Sequence, residues 1–219
     1  MRTIARITLL ILLSAAAAAA QADVHKIADA LDKHYNHIAS LQSNFEEIYR
    51  GAGVTRRESG ALTLKKSGKM RWDYQQPREK LFVSDGKTAW FYVPGDQQAR
   101  RASVKKLDDL RSPLRYLLGK TKLEKEFEHL SLAPDVKPSE AGNVVLRGVP
   151  KSMADRINQV LLEVTPGATL RRIVIEEADG STTEFRFTDE KTNIAVADAK
   201  FRFTPPPGVE TVEATEISQ

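Results

Sequence analysis

The fold of this chain is decided by residues 60–92, which read GALTLKKSGKMRWDYQQPREKLFVSDGKTAWFY. Apolar and polar residues alternate in 61–65 and again in 70–74, which is the period of a strand with one apolar face. A Ser-Gly pair at 67–68 and an Asp-Gly pair at 85–86 are typical of tight turns between antiparallel strands. The stretch therefore predicts consecutive β-hairpins.

Regular patterns continue on both sides of this stretch. Apolar residues recur at three-and-four spacing from Val24 to Leu41, which predicts an amphipathic helix. Thr88–Val93 is apolar on both faces, so this strand should lie inside the sheet with both sides covered. Leu123–Leu130 fits either a helix or a strand. Further strands are expected at Phe45–Tyr49, Lys80–Ser84, Val144–Arg147, Gln159–Val164, Leu170–Glu177, Thr182–Thr188 and Phe201–Phe203.

A second helix and the strand count together predict the fold class. At Ser112–Gly119 a serine cap and a proline precede the apolar Leu114, Leu117 and Leu118, and a glycine follows, which predicts a short helix. About ten or eleven antiparallel strands and two amphipathic helices favour a mainly β fold with some α, built on one strongly curved sheet that wraps partly around the helices. No linker or repeat interrupts the pattern, so residues 23–219 are expected to form one domain.

Residues 1–22 are predicted to be a secretory signal peptide that is cleaved from the protein. Two arginines precede a short apolar segment, and an Ala-Gln-Ala sequence precedes Asp23, as at a cleavage site. A retained N-terminal anchor is the alternative, although the apolar segment is shorter than the ~20 residues that a membrane span needs. The chain has no cysteine to form a disulfide or to carry a lipid, so we expect a soluble protein of the periplasm.

Charge and motifs exclude several classes of function. The net charge of +4 includes the two leader arginines, so the exported chain is nearly neutral and is not expected to bind nucleic acid. No phosphate-binding loop, dinucleotide fingerprint or serine-hydrolase motif is complete. His34 and His37 share a helix face, but a zinc site needs a third ligand, so solvated histidines are the better interpretation. We expect a protein without enzymatic activity, metal or cofactor.

The aromatic residues are concentrated on strand positions of the central stretch. Each of them fits an ordinary hydrophobic core, which is the simplest interpretation for any single residue. The alternative is a lined cavity, because a curved sheet covered only by short helices tends to be hollow, as small ligand-holding barrels are. The pattern alone leaves both possibilities open.

The chain resembles the LolA family of periplasmic outer-membrane lipoprotein carriers in residues 59–92, in Gln97-Gln98 and in the ending FRFTPPPGV at 201–209. The resemblance covers most of residues 24–212 and is weak between 121 and 150. It implies an unclosed, roughly half-barrel antiparallel sheet with helices as a lid over a hydrophobic cavity. It also implies a periplasmic chaperone that accepts lipoprotein acyl chains from an ATP-driven inner-membrane releasing complex and delivers them to an outer-membrane acceptor.

The resemblance also assigns roles to single residues. The family's arginine at the cavity mouth, which latches the lid helices through their backbone, falls on Lys66. Lysine replaces a planar guanidinium with a flexible point charge, so a latch at Lys66 should be looser. The phenylalanine that keeps transfer in one direction falls on Met70, which retains an apolar, adaptable surface. The residues expected to contact acyl chains are Leu62, Leu64, Met70, Trp72, Phe82, Trp90, Tyr92, Leu114, Leu117 and Leu118. The candidates for docking the releasing complex are Arg56, Arg57, Arg100 and Arg101.

The same half-barrel architecture leaves an alternative function open, a periplasmic module that binds or senses lipids or glycolipids. Such a regulator normally carries a second C-terminal domain, for which residues 209–219 leave no room. An outer-membrane acceptor would carry a lipidated N-terminal cysteine, and this chain has no cysteine. A lipid hydrolase would need a nucleophile with a positioned base, and neither is found. The sequence therefore favours a monomeric carrier, whose cargo is a lipoprotein or, alternatively, a glycolipid or polyketide.

Overall fold

The computed structural model describes residues 23–104 and 122–214. The described residues are mainly β, and their twelve strands belong to one unclosed sheet, which confirms the expected fold class with slightly more strands than predicted. The predicted leader at 1–22 and the predicted helix at Ser112–Gly119, with Leu114, Leu117 and Leu118, lie outside the described residues.

In the described ranges, few helices lie between the strands. Helix α1 occupies residues 23–37. The other elements are β1 (Ser40–Gly51), β2 (Val54–Lys65), β3 (Lys69–Gln76), β4 (Lys80–Asp85), β5 (Thr88–Tyr92), β6 (Gln98–Ser103), helix α2 (Leu123–Glu126), β7 (Phe127–Leu132), β8 (Val144–Pro150), a 3-10 turn (Lys151–Met153), β9 (Ile157–Val164), β10 (Leu170–Glu177), β11 (Thr182–Thr192), a second 3-10 turn (Asp198–Phe201) and β12 (Glu210–Glu213). None of the described helices is long and apolar enough to span a membrane.

The chain divides into two compact units. The described part of the first unit is residues 23–33 and 122–178, and it contains the strand order β10-β9-β8-β7 with antiparallel neighbours. Within this unit, the Asp32 carboxylate accepts hydrogen bonds from the Leu123 amide at 3.1 and 3.2 Å, which ties α1 to the start of α2. Burial, with the nearby charges of Asp29 and Glu124, raises the pKa of Asp32 to about 6 against the effect of that hydrogen bond.

The described part of the second unit is residues 34–104 and 179–214, and it holds the predicted hairpins. Its strand order is β12-β6-β5-β4-β3-β2-β1-β11, in which only β12 pairs in parallel, with β6. The turn between β4 and β5 requires glycine at Gly86, because φ is 94° there and a methyl group would collide with the carbonyl oxygen of Ser67 in the neighbouring turn. Strand β5 lies between β4 and β6, as its two apolar faces predicted.

Two predicted elements are corrected by the structure. The helix expected at Val24–Leu41 ends at residue 37, and Leu41 belongs to β1, where it pairs with Leu64 on one side and Thr192 on the other. The apolar spacing extends past the helix because the first strand residues are also buried. The strand expected at Phe201–Phe203 is the end of a 3-10 turn followed by residues outside any strand.

Other elements were ambiguous or absent from the prediction. The ambiguous stretch Leu123–Leu130 contains both of the proposed structures, since α2 is followed directly by β7. Strands β6 and β12 were not predicted. In β6 the only buried side chains are those of Ala99 and Ala102, which are too small to give a strong apolar alternation.

Candidate functional site

The strand registers of the second unit assign its aromatic residues to two opposite faces. Trp72 of β3 pairs with Leu62 of β2 and with Phe82 of β4, and paired residues of antiparallel strands project to the same side. Residues with this orientation form what we call the Trp72 face, and the other side is the Trp90 face. Of the residues predicted to contact acyl chains, those on the Trp72 face are Leu62, Leu64, Met70, Trp72 and Phe82.

The Trp72 face has an aromatic cluster at its centre. Phe45 lies edge-on to Trp72 with ring centroids 4.7 Å apart, Phe185 lies 5.6 Å away, and Tyr74 stacks at 6.4 Å. Phe187 stacks in turn on Phe185. These rings are buried, and the side chain of Trp72 is fully so. The described residues therefore place a continuous aromatic surface across β3, β1 and β11.

Trp90 and Tyr92 lie on the opposite face from Trp72, because Trp90 pairs with Val83, the neighbour of Phe82 in β4. Both rings pack on Phe203 of the same chain, with centroid distances of 5.5 and 5.4 Å. The guanidinium of Arg101 lies 5.6 Å from the Trp90 ring centroid. The expectation that Trp72 and Trp90 line one common cavity is therefore corrected, since successive strand residues alternate in direction.

A polar cluster borders the aromatic surface at the end of the Trp72 face that carries Tyr74. We call it the Lys80 cluster: Glu47, Glu58, Tyr74 and Lys80. The Tyr74 hydroxyl donates to the Glu47 carboxylate at 2.6 Å, and the Lys80 ammonium donates to the Glu58 carboxylate. That ammonium also lies 4.8 Å from the Tyr74 ring centroid. The side chains of Lys80 and Glu58 are only 7% and 14% exposed, so this ion pair is buried.

Lys66 lies at the other end of the β2–β3 hairpin. Its ammonium donates to the carbonyl oxygen of Asn36, in the last turn of α1, at 2.9 Å, and its amide donates to the carbonyl oxygen of Ala39 at 2.9 Å. Carbonyl groups at a helix C-terminus attract a cation because they have no partner within the helix. The side chain of Lys66 is exposed. This bond joins a hairpin turn to a helix end within the second unit.

The lysines beside Lys66 hold the C-terminal segment on the Trp90 face. Lys65 and Lys69 each donate to the Asp198 carboxylate at 2.6 Å. These two bonds lower the pKa of Asp198 to about 2. Lys65 also donates to the carbonyl oxygen of Val196 at 2.7 Å. The Trp90 face is thus occupied by the chain's own residues around Asp198 and Phe203.

The four arginines predicted for docking are all exposed but differ in their surroundings. Arg57 forms an ion pair with Glu46, and Arg101 forms one with Glu213. Arg56 lies over the Tyr49 ring, 4.7 Å from its centroid. Arg100 lies on β6, where it pairs with Phe91 of β5. Their role in docking stays a prediction.

The histidines of α1 were considered as metal ligands in the sequence. His34 lies within hydrogen-bonding distance of the Glu190 carboxylate, at 3.0 Å, and the Tyr35 hydroxyl donates to the other oxygen of that carboxylate. Across residues 23–104 and 122–214, no group of three or more histidine or acidic side chains is arranged to hold a metal ion. Glu190 thus links the end of α1 to β11 through hydrogen bonds.

Comparisons with known proteins match most of the chain. A family model described as outer membrane lipoprotein carrier protein LolA matches residues 36–204. The outer-membrane lipoprotein carrier protein of Nitrosospira multiformis is 32% identical over 162 residues, which cover 73% of this chain and 74% of that protein. The protein of the same description from Nitrosomonas europaea is 29% identical over 181 residues, which cover 81% of this chain and 84% of that protein.

Solved structures include one with a similar backbone. An uncharacterized conserved protein from Thermus thermophilus has a TM-score of 0.55 to this chain at 13% sequence identity, and the match covers 86% of this chain and 98% of that one. At this level of identity the likeness supports the fold alone.

Proposed function

We propose that this chain, which belongs to the LolA family of outer membrane lipoprotein carrier proteins, is a periplasmic chaperone. It carries lipoproteins by their acyl chains. It acts as a carrier and performs no chemical reaction. The observation that supports this function most directly is the continuous aromatic Trp72 face, which lies within the residues that match the family.

The need for such a carrier follows from the hydrophobic effect. At ~0.8 kcal/mol per methylene, one acyl chain of roughly fifteen methylenes costs on the order of 12 kcal/mol to leave in water. A lipoprotein therefore does not cross an aqueous compartment without a protein that shields its chains. The apolar surface around Trp72, Leu62, Leu64 and Phe82 is the surface that we assign to this task. Leu114, Leu117 and Leu118 are proposed to contribute from the predicted lid helix.

The route of the cargo is part of the same proposal. Residues 1–22 direct export and are removed, and residues 23–219 act as one monomeric domain. An ATP-driven inner-membrane complex supplies the lipoprotein, and an outer-membrane acceptor receives it. The candidates for contact with the releasing complex are the exposed guanidinium groups of Arg56, Arg57, Arg100 and Arg101.

Met70→Glu is expected to reduce the lipoprotein that co-purifies with the protein from its native envelope by about tenfold or more, because a carboxylate on the acyl-binding surface is unfavourable beside hydrocarbon. Met70 is half-buried on the Trp72 face, between Leu64 and Ser84 of the neighbouring strands. The measurement is quantitative mass spectrometry of the co-purified protein and lipid.

Leu81→Glu provides the matched control for this experiment. Leu81 is also half-buried, but it pairs with Asp73 on the Trp90 face. Circular dichroism shows whether both variants are folded. The proposal predicts normal cargo in Leu81→Glu. Equal amounts of lipoprotein in the two variants would contradict binding on the Trp72 face, and recovery of free glycolipid without lipoprotein would favour the lipid-binding alternative.

Lys66→Leu is expected to slow the release of bound lipoprotein to outer-membrane vesicles by about fivefold, the effect of losing one hydrogen bond of ordinary strength. The bond from Lys66 to Asn36 is proposed to stabilise the cargo-free state, so its loss shifts the equilibrium toward the loaded state. Lys87→Leu removes the same charge from the exposed adjacent turn and should release cargo normally. Release at the wild-type rate in Lys66→Leu would show that this residue is not the latch.

A further inference from the structure

One buried hydrogen-bond donor on the Trp72 face has no acceptor among the residues that the structure describes. Within the described part of the chain, the buried side-chain nitrogen or oxygen atoms that lack a hydrogen-bond partner are Thr63 Oγ1, Trp72 Nε1 and Arg147 Nε. Of these, only Trp72 Nε1 belongs to the Trp72 face, since Thr63 is the strand neighbour of Leu62 and Leu64, and Arg147 is in β8. Buried polar groups are nearly always paired in proteins, so this indole N–H requires an explanation.

The surroundings of the indole offer it little besides hydrocarbon. The residues directly opposite Trp72 on the neighbouring strands are Leu62 and Phe82, and the nearest rings are those of Phe45 and Phe185. The Tyr74 hydroxyl, the next polar group along β3 on this face, donates to Glu47 and does not accept a hydrogen bond from the indole. Among the described residues, the apolar surface proposed for acyl chains thus contains a single uncompensated donor at its centre.

The geometry points to a hydrogen bond from Trp72 Nε1 to the ester or amide carbonyl of a bound acyl chain, an inference that rests on the proposed function. The carbonyl is the one strong acceptor that every acyl chain carries, and it loses its water on entering an apolar site. An indole N–H donates a hydrogen bond and does not accept one, so it pairs with a carbonyl oxygen and has no partner in a plain hydrocarbon chain. Trp72 is therefore a specificity-determining residue that selects acylated ligands.

The same bond would fix the depth to which a chain enters. Dispersion and hydrophobic contacts along a methylene chain are nearly unchanged when the chain slides by one carbon, because they are not directional. A single donor in a fixed position removes this freedom, since only one carbonyl position satisfies the hydrogen bond. Trp72 thus fixes the position of the acyl chain along its length, which Leu62, Leu64 and Phe82 do not.

The test compares two ligands of equal chain length, methyl palmitate, which carries a carbonyl acceptor, and octadecane, which carries no acceptor. Each competes with the apolar dye diphenylhexatriene for the purified protein, and the ratio of the octadecane Kd to the ester Kd is measured. In Trp72→Phe, which keeps an aromatic ring and removes the donor, we expect this ratio to fall about fivefold. Trp90→Phe, on the opposite face, should leave the ratio unchanged.

Nuclear magnetic resonance of the wild-type protein gives an independent measurement that does not depend on the folding of a variant. The chain has two tryptophans, so it gives two indole N–H signals, which Trp90→Phe assigns. The Trp72 signal should shift on addition of the ester and shift much less with octadecane, which offers no acceptor. An equal Kd ratio in wild type and Trp72→Phe, or equal shifts with both ligands, would overturn the hydrogen bond while acyl binding itself stands. Failure of both ligands to displace the dye would contradict acyl binding and this inference together.

Discussion

Gly60→Ala is expected to destabilise the second unit by about 3 kcal/mol, at the upper end of what overpacking costs. A methyl group at Gly60 would collide with the backbone carbonyl oxygen of Asp73 and lie 2.9 Å from the Cα atom of Tyr74. Both are backbone atoms of β3, so no side chain can rotate out of the way. The register between β2 and β3 shifts directly beside Gly60, and this irregularity brings the two backbones together.

Urea unfolding followed by tryptophan fluorescence measures this effect, because both tryptophans lie in the second unit. The comparison is Gly167→Ala in the first unit, where the new methyl group would meet only the Thr165 side chain at an ordinary 3.7 Å. That variant should unfold at nearly the wild-type urea concentration. If Gly60→Ala also unfolds at the wild-type urea concentration, β2 and β3 do not approach each other closely at Gly60.

The hairpins were predictable because their information is local. Alternation of apolar residues and the turn dipeptides at 67–68 and 85–86 determine β2 to β5 without reference to the rest of the chain. The end of α1 was not predictable in this way, since Leu41 continues the helical spacing but pairs with two strands that are remote in sequence. Pairing with Thr192 depends on residues some 150 positions away, so no local pattern predicts it.

The candidate site was predictable in its residue types more than in its arrangement. The common face of Trp72, Leu62 and Phe82 was predictable from alternation along the strands, but the expectation that Trp90 lies on the same face was wrong. Which face a residue of β5 occupies depends on the exact register across two turns, and a shift of one residue reverses it. Phe45 and Phe185 were not identified as neighbours of Trp72, because they reach it through the pairing of β1 with β11.

The Lys80 cluster illustrates a feature that sequence patterns do not reveal. Lys80 and Glu58 are separated by 22 positions, and each resembles an ordinary surface residue in the sequence. The strands bring them together beside an aromatic ring, where both lose most of their contact with water. A buried ion pair of this kind makes each partner dependent on the other.

Lys80→Met is therefore expected to destabilise the protein by about 3 kcal/mol, since it removes the ammonium that pairs with the Glu58 carboxylate in a site largely closed to water. The double variant Lys80→Met with Glu58→Gln should recover most of this loss, because the remaining side chain is then neutral. Lys87→Met, at an exposed lysine of the next turn, should change the free energy of unfolding by less than about 0.5 kcal/mol.

The double variant separates burial of charge from loss of packing. If the loss in Lys80→Met arose from poorer contacts with the Tyr74 ring, neutralising Glu58 would not restore stability, and the two substitutions would add. Recovery in the double variant instead assigns the loss to the charge of the Glu58 carboxylate after Lys80 is removed. If Lys80→Met has the same free energy of unfolding as wild type, water reaches the Glu58 carboxylate. The aromatic surface around Trp72 is then open to solvent at the end that the Lys80 cluster borders.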